Sequence, residues 1–250
     1  VAALAVWAAT LDGAGAAYGY YLSPDLGTIA AEWTTILPAA AGQAFFTLSL
    51  GFGIMITYAS YLGEDRNLAA DGVVIIAFDT AIAVAMGLIV FPILFTAGID
   101  PGEPGVGAIF ITLAAAFGEL AAGGLIGAIF FGTVVIAALS SAISLTEVVV
   151  SYAIDERGMK RARATALVCG ALFVLGLGPA YDTVLLELYD ELADGILLVL
   201  SALLLTAYVA WQWSEEAIEE LRRGIGRLGP LGTYWIWLAR GPVLVVLFVS

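Results

Sequence analysis

The chain has 250 residues, 62% hydrophobic and only 12% charged, with a mean hydropathy of +1.01. A soluble domain is nearer about half apolar and about a quarter charged, so one water-solvated core cannot hide this much apolar surface and the bilayer is the natural solvent. The net charge of −13, the absence of histidine and the single cysteine, Cys169, argue against a nucleic-acid partner and exclude an intrachain disulfide, a histidine metal site and histidine acid–base catalysis.

A membrane-spanning helix needs about 20 apolar residues. In chain order, residues 1–11 read as the tail of one span. Further spans are expected at 36–62, 73–97, 125–153, 164–180, 196–213 and 232–250, all within a single transmembrane domain that occupies residues 1–250. Residues 98–124 read as an extracellular loop with short helices lying against the bundle, because the amphipathic piece at 107–117 is too short and too rich in small residues to span. No basic region precedes the first apolar run, so no signal peptide is read. Both ends lie inside apolar runs and are expected to be internal to longer helices.

The nine cations fix an orientation. Arg66, Arg157, Lys160, Arg161, Arg163, Arg222, Arg223 and Arg227 fall in three loops, at 63–72, 155–163 and 214–231. The alternate loops carry no Lys or Arg but hold Asp12, Asp25, Glu32, Asp100, Glu103, Asp182, Glu187 and Asp190. Cytoplasmic loops collect Lys and Arg, so the three basic loops are expected inside a multi-pass protein of the cell membrane. Arg240, early in the last span, is near enough to that face to snorkel. Trp211, Trp213, Tyr234, Trp235 and Trp237 cluster as interfacial anchors do. The acid in the loops suggests life in high salt, which activity in molar KCl against dilute buffer would test.

The span at 36–62 is unusual at its middle. Thr47-Leu-Ser-Leu-Gly-Phe-Gly53 places two glycines, a serine and a threonine in what should be a continuous helix. Each glycine costs a helix about 0.8–1 kcal/mol relative to alanine. A close helix–helix contact is the plain explanation. An interrupted helix is the other: unwinding near the midplane frees backbone N–H and C=O groups to hold substrate and ions. Thr47 and Ser49 would add hydroxyl oxygens, and Phe46 and Phe52 aromatic walls.

Gln43 to Gly53, followed by Ile56-Thr-Tyr-Ala-Ser-Tyr61, resembles the sixth helix of the sodium:neurotransmitter symporters, a family with bacterial and archaeal amino-acid transporters among its members. The similarity continues through Phe91-Pro92, Phe110-Ile-Thr-Leu113 and Ala137-Ala-Leu-Ser-Ser-Ala-Ile-Ser-Leu145. It implies an all-α polytopic, inverted-repeat sodium-symporter fold with a broken sixth helix. The chain would run from late in the fifth helix into the eleventh, with the first repeat mostly missing. On that reading the chain would not transport without the facing broken helix.

Sodium wants oxygen ligands, and two constellations fit. Asp79 is the lone acid of residues 72–91, and an ionisable residue inside a membrane helix is a functional candidate by default. The resemblance makes Asp79 and Thr47 ligands of a first sodium site, Asp79 standing where many relatives carry Asn. Chloride-dependent relatives have a serine where this chain has Ala83, which implies chloride-independent transport with Asp79 supplying the charge. Ala137, Ser140 and Ser141 are implied as a second sodium site, the carbonyl of Ala137 joining the two hydroxyls. The implied substrate set is Phe46, Thr47, Ser49, Leu50, Gly51, Phe52, Ser141 and Leu145, with Phe46 as outer lid. Asp190 matches the acid of an external gate, and Asp155, beside Tyr61, that of an internal gate. Glu147 receives no role.

The absence of a nucleophile–base pair, a Walker loop or a metal cluster argues against an enzyme and for no organic cofactor. The expected function is sodium-coupled symport of an amino acid or small amine by alternating access. The alternatives are a truncated membrane fragment that does not transport, or another sodium-solute family with the same fold. The expected partners are a small-molecule substrate and the lipid bilayer; a homodimer is compatible with the sequence, which does not set the oligomeric state.

Overall fold

A computed structural model of the chain describes residues 1–63, 66–99, 108–120, 122–225 and 230–245. Expectations that fall on Asp100, Glu103, Arg227 and residues 246–250 lie outside the described residues. Every regular element among the described residues is helical, and the chain divides into two compact units, residues 1–31 with 77–140, and 32–76 with 141–250.

The first unit opens with α1 (Ala2–Ala8), α2 (Ala14–Leu22) and α3 (Leu26–Ala31). In chain order α4 (Trp33–Thr47), α5 (Ile54–Ser60), α6 (Leu68–Thr96), α7 (Leu113–Glu119) and α8 (Gly123–Asp155) follow. Of these, α7, most of α6 and the first half of α8 belong to the first unit. Its core joins Leu4 to Ile89, Ile93, Leu113, Phe117 and Phe130, with the Phe117 and Phe130 rings 5.5 Å apart.

Pro92 inside α6 has no N–H, so the carbonyl of Leu88 loses its helical donor. The hydroxyl of Tyr18 on α2 donates to that carbonyl at 3.3 Å. Beside it, Gly87 leaves room for the ring of Tyr21, which a Cβ would overlap. These contacts seat α2 in residues 12–35, which carry no span by sequence. Helix α3 is started by Asp25, whose carboxylate accepts from the amides of Gly27 at 2.8 Å and Thr28 at 3.2 Å and from the Thr28 hydroxyl at 2.9 Å. The Thr28 bonds, then the Gly27 amide, hold its carboxyl below the usual 3.8.

The second unit holds α4, α5, the rest of α8, α9 (Arg161–Tyr181), α10 (Thr183–Asp190), α11 (Val199–Ala207), α12 (Ser214–Ile225) and α13 (Pro230–Leu238). Wider π turns occupy Glu191–Leu198, Tyr208–Gln212 and Ala239–Val243. Asp182 caps α10 by accepting from the Val184 amide at 2.9 Å. Arg240 donates through Nε to the carbonyl of Ala210 at 2.7 Å and lies 5.9 Å above the Trp211 ring.

Among the described residues, four helices are long and apolar enough to cross a membrane: Leu68–Thr96, Gly123–Asp155, Arg161–Tyr181 and the continuous run Thr183–Gln212. Only 6–11% of their most apolar windows is buried within the chain. Helices this apolar and this exposed need lipid or further helices as solvent, and the chain is a membrane protein.

Candidate functional site

The span expected at 36–62 is interrupted. Helix α4 stops at Thr47 and α5 begins at Ile54, leaving residues 48–53 outside helix. The stop is a Schellman motif: the amide of Ser49 donates to Phe46 O at 3.0 Å, and that of Leu50 to Phe45 O at 2.9 Å. The motif needs a left-handed residue, usually glycine, and here Ser49 fills it at φ 54°. Helix α6 ends with the same pair of bonds around Gly98, at φ 69°. The left-handed conformation costs a side-chain-bearing residue about 1–2 kcal/mol, and such strain clusters at working sites.

Gly51 and Gly53 carry the chain through the break at φ 92° and 80°. Gly51 is also a place of close approach, since a Cβ there would lie 3.0 Å from the carbonyl oxygen of Leu198 and 3.3 Å from the Ala202 amide nitrogen. The freed carbonyl of Gly51 accepts a bond from the Ser201 hydroxyl at 2.6 Å. Phe46 and Phe52 face each other edge-on across the break, with centroids 6.3 Å apart. Among the predicted substrate residues, the structure thus gathers Phe46, Thr47, Ser49, Leu50, Gly51 and Phe52 at one interruption. Ser141 and Leu145 lie in the same unit, both exposed on α8.

The predicted sodium ligands divide between the units. Asp79 is half-buried in α6 of the first unit, and Thr47 ends α4 in the second. On α8, the Ser140 hydroxyl lies 2.7 Å from the Ala137 carbonyl oxygen and donates to it. Those two oxygens are therefore adjacent on the helix surface, with Ser141 the next residue along.

Tyr61 finds a partner that the sequence left without a role. Its hydroxyl donates to Glu147 Oε1 at 2.6 Å, and Arg161 Nη2 donates to the same oxygen at 2.5 Å. The Glu147 side chain is 16% exposed and that of Arg161 63%. One turn before Tyr61, the Tyr58 hydroxyl meets Ser144 Oγ at 2.6 Å. Asp155, the predicted internal gate acid, is exposed at the last turn of α8. The signal for Glu147 was its place as an acid inside a span.

Two cavities border the break. One of about 410 Å³ is largely apolar, with Ser49, Leu50, Gly51, Leu205, Thr206 and Trp235 in its wall. The other, of about 610 Å³, lies between α4 and the π turn, with Thr34, Thr35, Gln43 and Phe46 on one wall and Asp194 and Gly195 on the other. Asp190, the predicted external gate acid, is exposed at the end of α10; Asp194, four residues on, is the acid that reaches this cavity.

The profile of the sodium:neurotransmitter symporter family matches residues 1–250. The chain is 35% identical over 224 residues to an uncharacterized sodium-dependent transporter of Haemophilus influenzae, covering 85% of this chain and 48% of that protein. It is 33% identical over 246 residues to another from Methanocaldococcus jannaschii, covering 93% and 49%. The mouse sodium- and chloride-dependent neutral and basic amino acid transporter B(0+) is 25% identical over 248 residues, covering 94% and 39%. Among solved structures, MhsT in complex with L-phenylalanine matches with a TM-score of 0.84 at 30% identity, over 99% of this chain and 58% of that one. The chain spans about half the length of the two microbial relatives, 48% and 49%. With the family match running from residue 1 to residue 250 and the same fold in MhsT, the chain belongs to the sodium:neurotransmitter symporter family.

Proposed function

We propose that the transporter containing this chain couples the sodium gradient to uptake of an amino acid or related small amine across the cell membrane. The observation that carries the reading is the interruption at residues 48–53, with its left-handed Ser49 and its freed carbonyls. Freed carbonyls and half-helix ends are what a membrane protein uses to replace the hydration of an ion or a zwitterion. The amino-acid class is supported by the relatives, of which one is named for neutral and basic amino acids and another was crystallised with L-phenylalanine.

In this reading sodium is cargo, held at a first site by Thr47 and Asp79 and at a second by the Ala137 carbonyl with the Ser140 and Ser141 hydroxyls. Phe46, Thr47, Ser49, Leu50, Gly51, Phe52, Ser141 and Leu145 contact the substrate, and Phe46 covers it from outside. Asp190 serves the external gate. Asp155, with Tyr61, serves the internal gate, and Tyr61 brings Glu147 and Arg161 with it. Ala83 cannot donate a side-chain hydrogen bond, and Asp79 carries a fixed negative charge, so no chloride is required.

The test is uptake of radiolabelled amino acids into vesicles reconstituted with the complete product of the gene. Uptake should require an inward sodium gradient and persist when chloride is replaced by gluconate. Uptake indifferent to sodium would overturn the coupling, and loss in gluconate would overturn chloride independence alone.

A further inference from the structure

The cavity of about 610 Å³ between α4 and the π turn contains one charged side chain among the described residues that line it, Asp194. Asp194 is the last acid of the run Thr183–Gln212, and residues 195–212 carry no charge at all. It is only partly exposed. Asp194 stands where the charged start of the run gives way to its apolar remainder, and a lone carboxylate in the wall of an otherwise uncharged cavity is a candidate ligand contact. Gly195 beside it adds no side chain, so the carboxylate stays reachable from the cavity.

Size and chemistry choose among cations. Pockets of about 300–1,000 Å³ hold small organic molecules, and this volume is far larger than a dehydrated sodium ion, which needs several oxygens at close range. The opposite wall supplies neutral hydrogen-bonding groups from Thr34, Thr35 and Gln43 and the aromatic ring of Phe46. A carboxylate in a low-dielectric cleft concentrates positive ligands, and an aromatic face attracts an ammonium or guanidinium. An extra carboxylate on the ligand would be repelled.

We propose that Asp194 makes this cavity a capture site for an organic cation, the side-chain ammonium or guanidinium of a basic amino acid or amine, and thereby biases the transporter toward positively charged substrates. The proposal rests on the transport function above and adds the charge class of the substrate. Asp194 acts on the approach that Phe46 borders, not at the sodium ligands.

The experiment compares wild type, Asp194→Asn and Asp194→Glu. Equilibrium binding of radiolabelled arginine and leucine is measured on the purified complete protein, and uptake of both in vesicles. Wild type should bind arginine, and Asp194→Asn should lower the arginine-to-leucine affinity ratio about tenfold, with Asp194→Glu restoring most of it. In uptake the same variant should raise KM for arginine with little change in kcat, a split that a folding defect would not produce. Failure of wild type to bind arginine, or an unaltered ratio in Asp194→Asn, would overturn the proposal. Arginine binding that shifts as expected without sodium-dependent uptake of any amino acid would instead overturn the transport reading and leave the capture site standing.

Discussion

The hydroxyl of Ser201 lies 2.6 Å from the carbonyl oxygen of Gly51, joining two residues 150 positions apart at the point where the helix is broken. Helix α11 thus supplies the donor that the interruption takes away. Ser201→Ala leaves that carbonyl without its partner, and a half-buried acceptor stripped of its bond costs about 1–3 kcal/mol. Thermal stability of the purified protein should fall accordingly, and Ser201→Thr, which keeps the hydroxyl, should lose less. Equal melting of all three proteins would show that the bond carries no weight.

Ser49 holds a left-handed position that Gly98 fills at the end of α6. Ser49→Gly removes the steric penalty, offset in part by glycine's greater chain entropy, for a net gain of about 0.5–1 kcal/mol. It also removes a hydroxyl from the proposed substrate set. The expected outcome is a more heat-stable protein with weaker substrate binding, whereas Ser49→Ala should lose binding without gaining stability. A Ser49→Gly protein that melts earlier than wild type would refute the assignment of strain.

The shared oxygen of Glu147 holds Tyr61 and Arg161 together. Both donors are open to solvent, so the cluster contributes modestly and is weakened by salt. Glu147→Ala should loosen the junction of α5 and α8, seen as faster labelling of a cysteine placed at Ser144 by an impermeant maleimide, an effect that shrinks at high salt. Labelling at the wild-type rate would rule the ion pair out as a closure.

Thr47→Val and Asp79→Asn address the two residues proposed for the first sodium site separately. Each should raise the sodium concentration for half-maximal uptake about tenfold or more, the equivalent of at least about 1.4 kcal/mol. Asp79→Asn should in addition make uptake respond to chloride, because it deletes the charge proposed to stand in for the anion. Sodium dependence unmoved in both variants would remove the pair from the site.

Asp25 is held below the usual carboxylate value of 3.8 by its bonds to Thr28 and Gly27. A depressed pKa stabilises the folded form above the unfolded value, and that contribution is lost as pH falls through the lowered folded value. Protection of the Gly27 and Thr28 amides, their exchange relative to the intrinsic rate at each pH, should persist at pH 5 and be lost only below 3.8. Asp25→Asn should show no such acid-dependent step.

Much of this was legible in the sequence because it is local. The excess of apolar residues, the glycine pair with its hydroxyls and the family resemblance point to a broken membrane helix, and Phe46 to Phe52 lie together at that break. What was not legible depends on partners far along the chain. Nothing near Glu147 in sequence says that Tyr61 and Arg161 converge on it, and nothing near Gly51 names Ser201. The cavity acid is a subtler case. Asp190 and Asp194 are both acids at the start of one apolar run, and only the course of the π turn decides that Asp194 meets the cavity.

The bonds Tyr58 to Ser144 and Tyr61 to Glu147 have a consequence for how the helix after the break is held. Both partners advance by three residues together, so α5 and α8 run parallel and are joined by two rungs in register. Tyr58, inside Ile54–Ser60, and Tyr61, just past its end, thus tie the helix that follows the break to one face of α8 at two successive turns, and a turn of α5 about its own axis would strain both rungs.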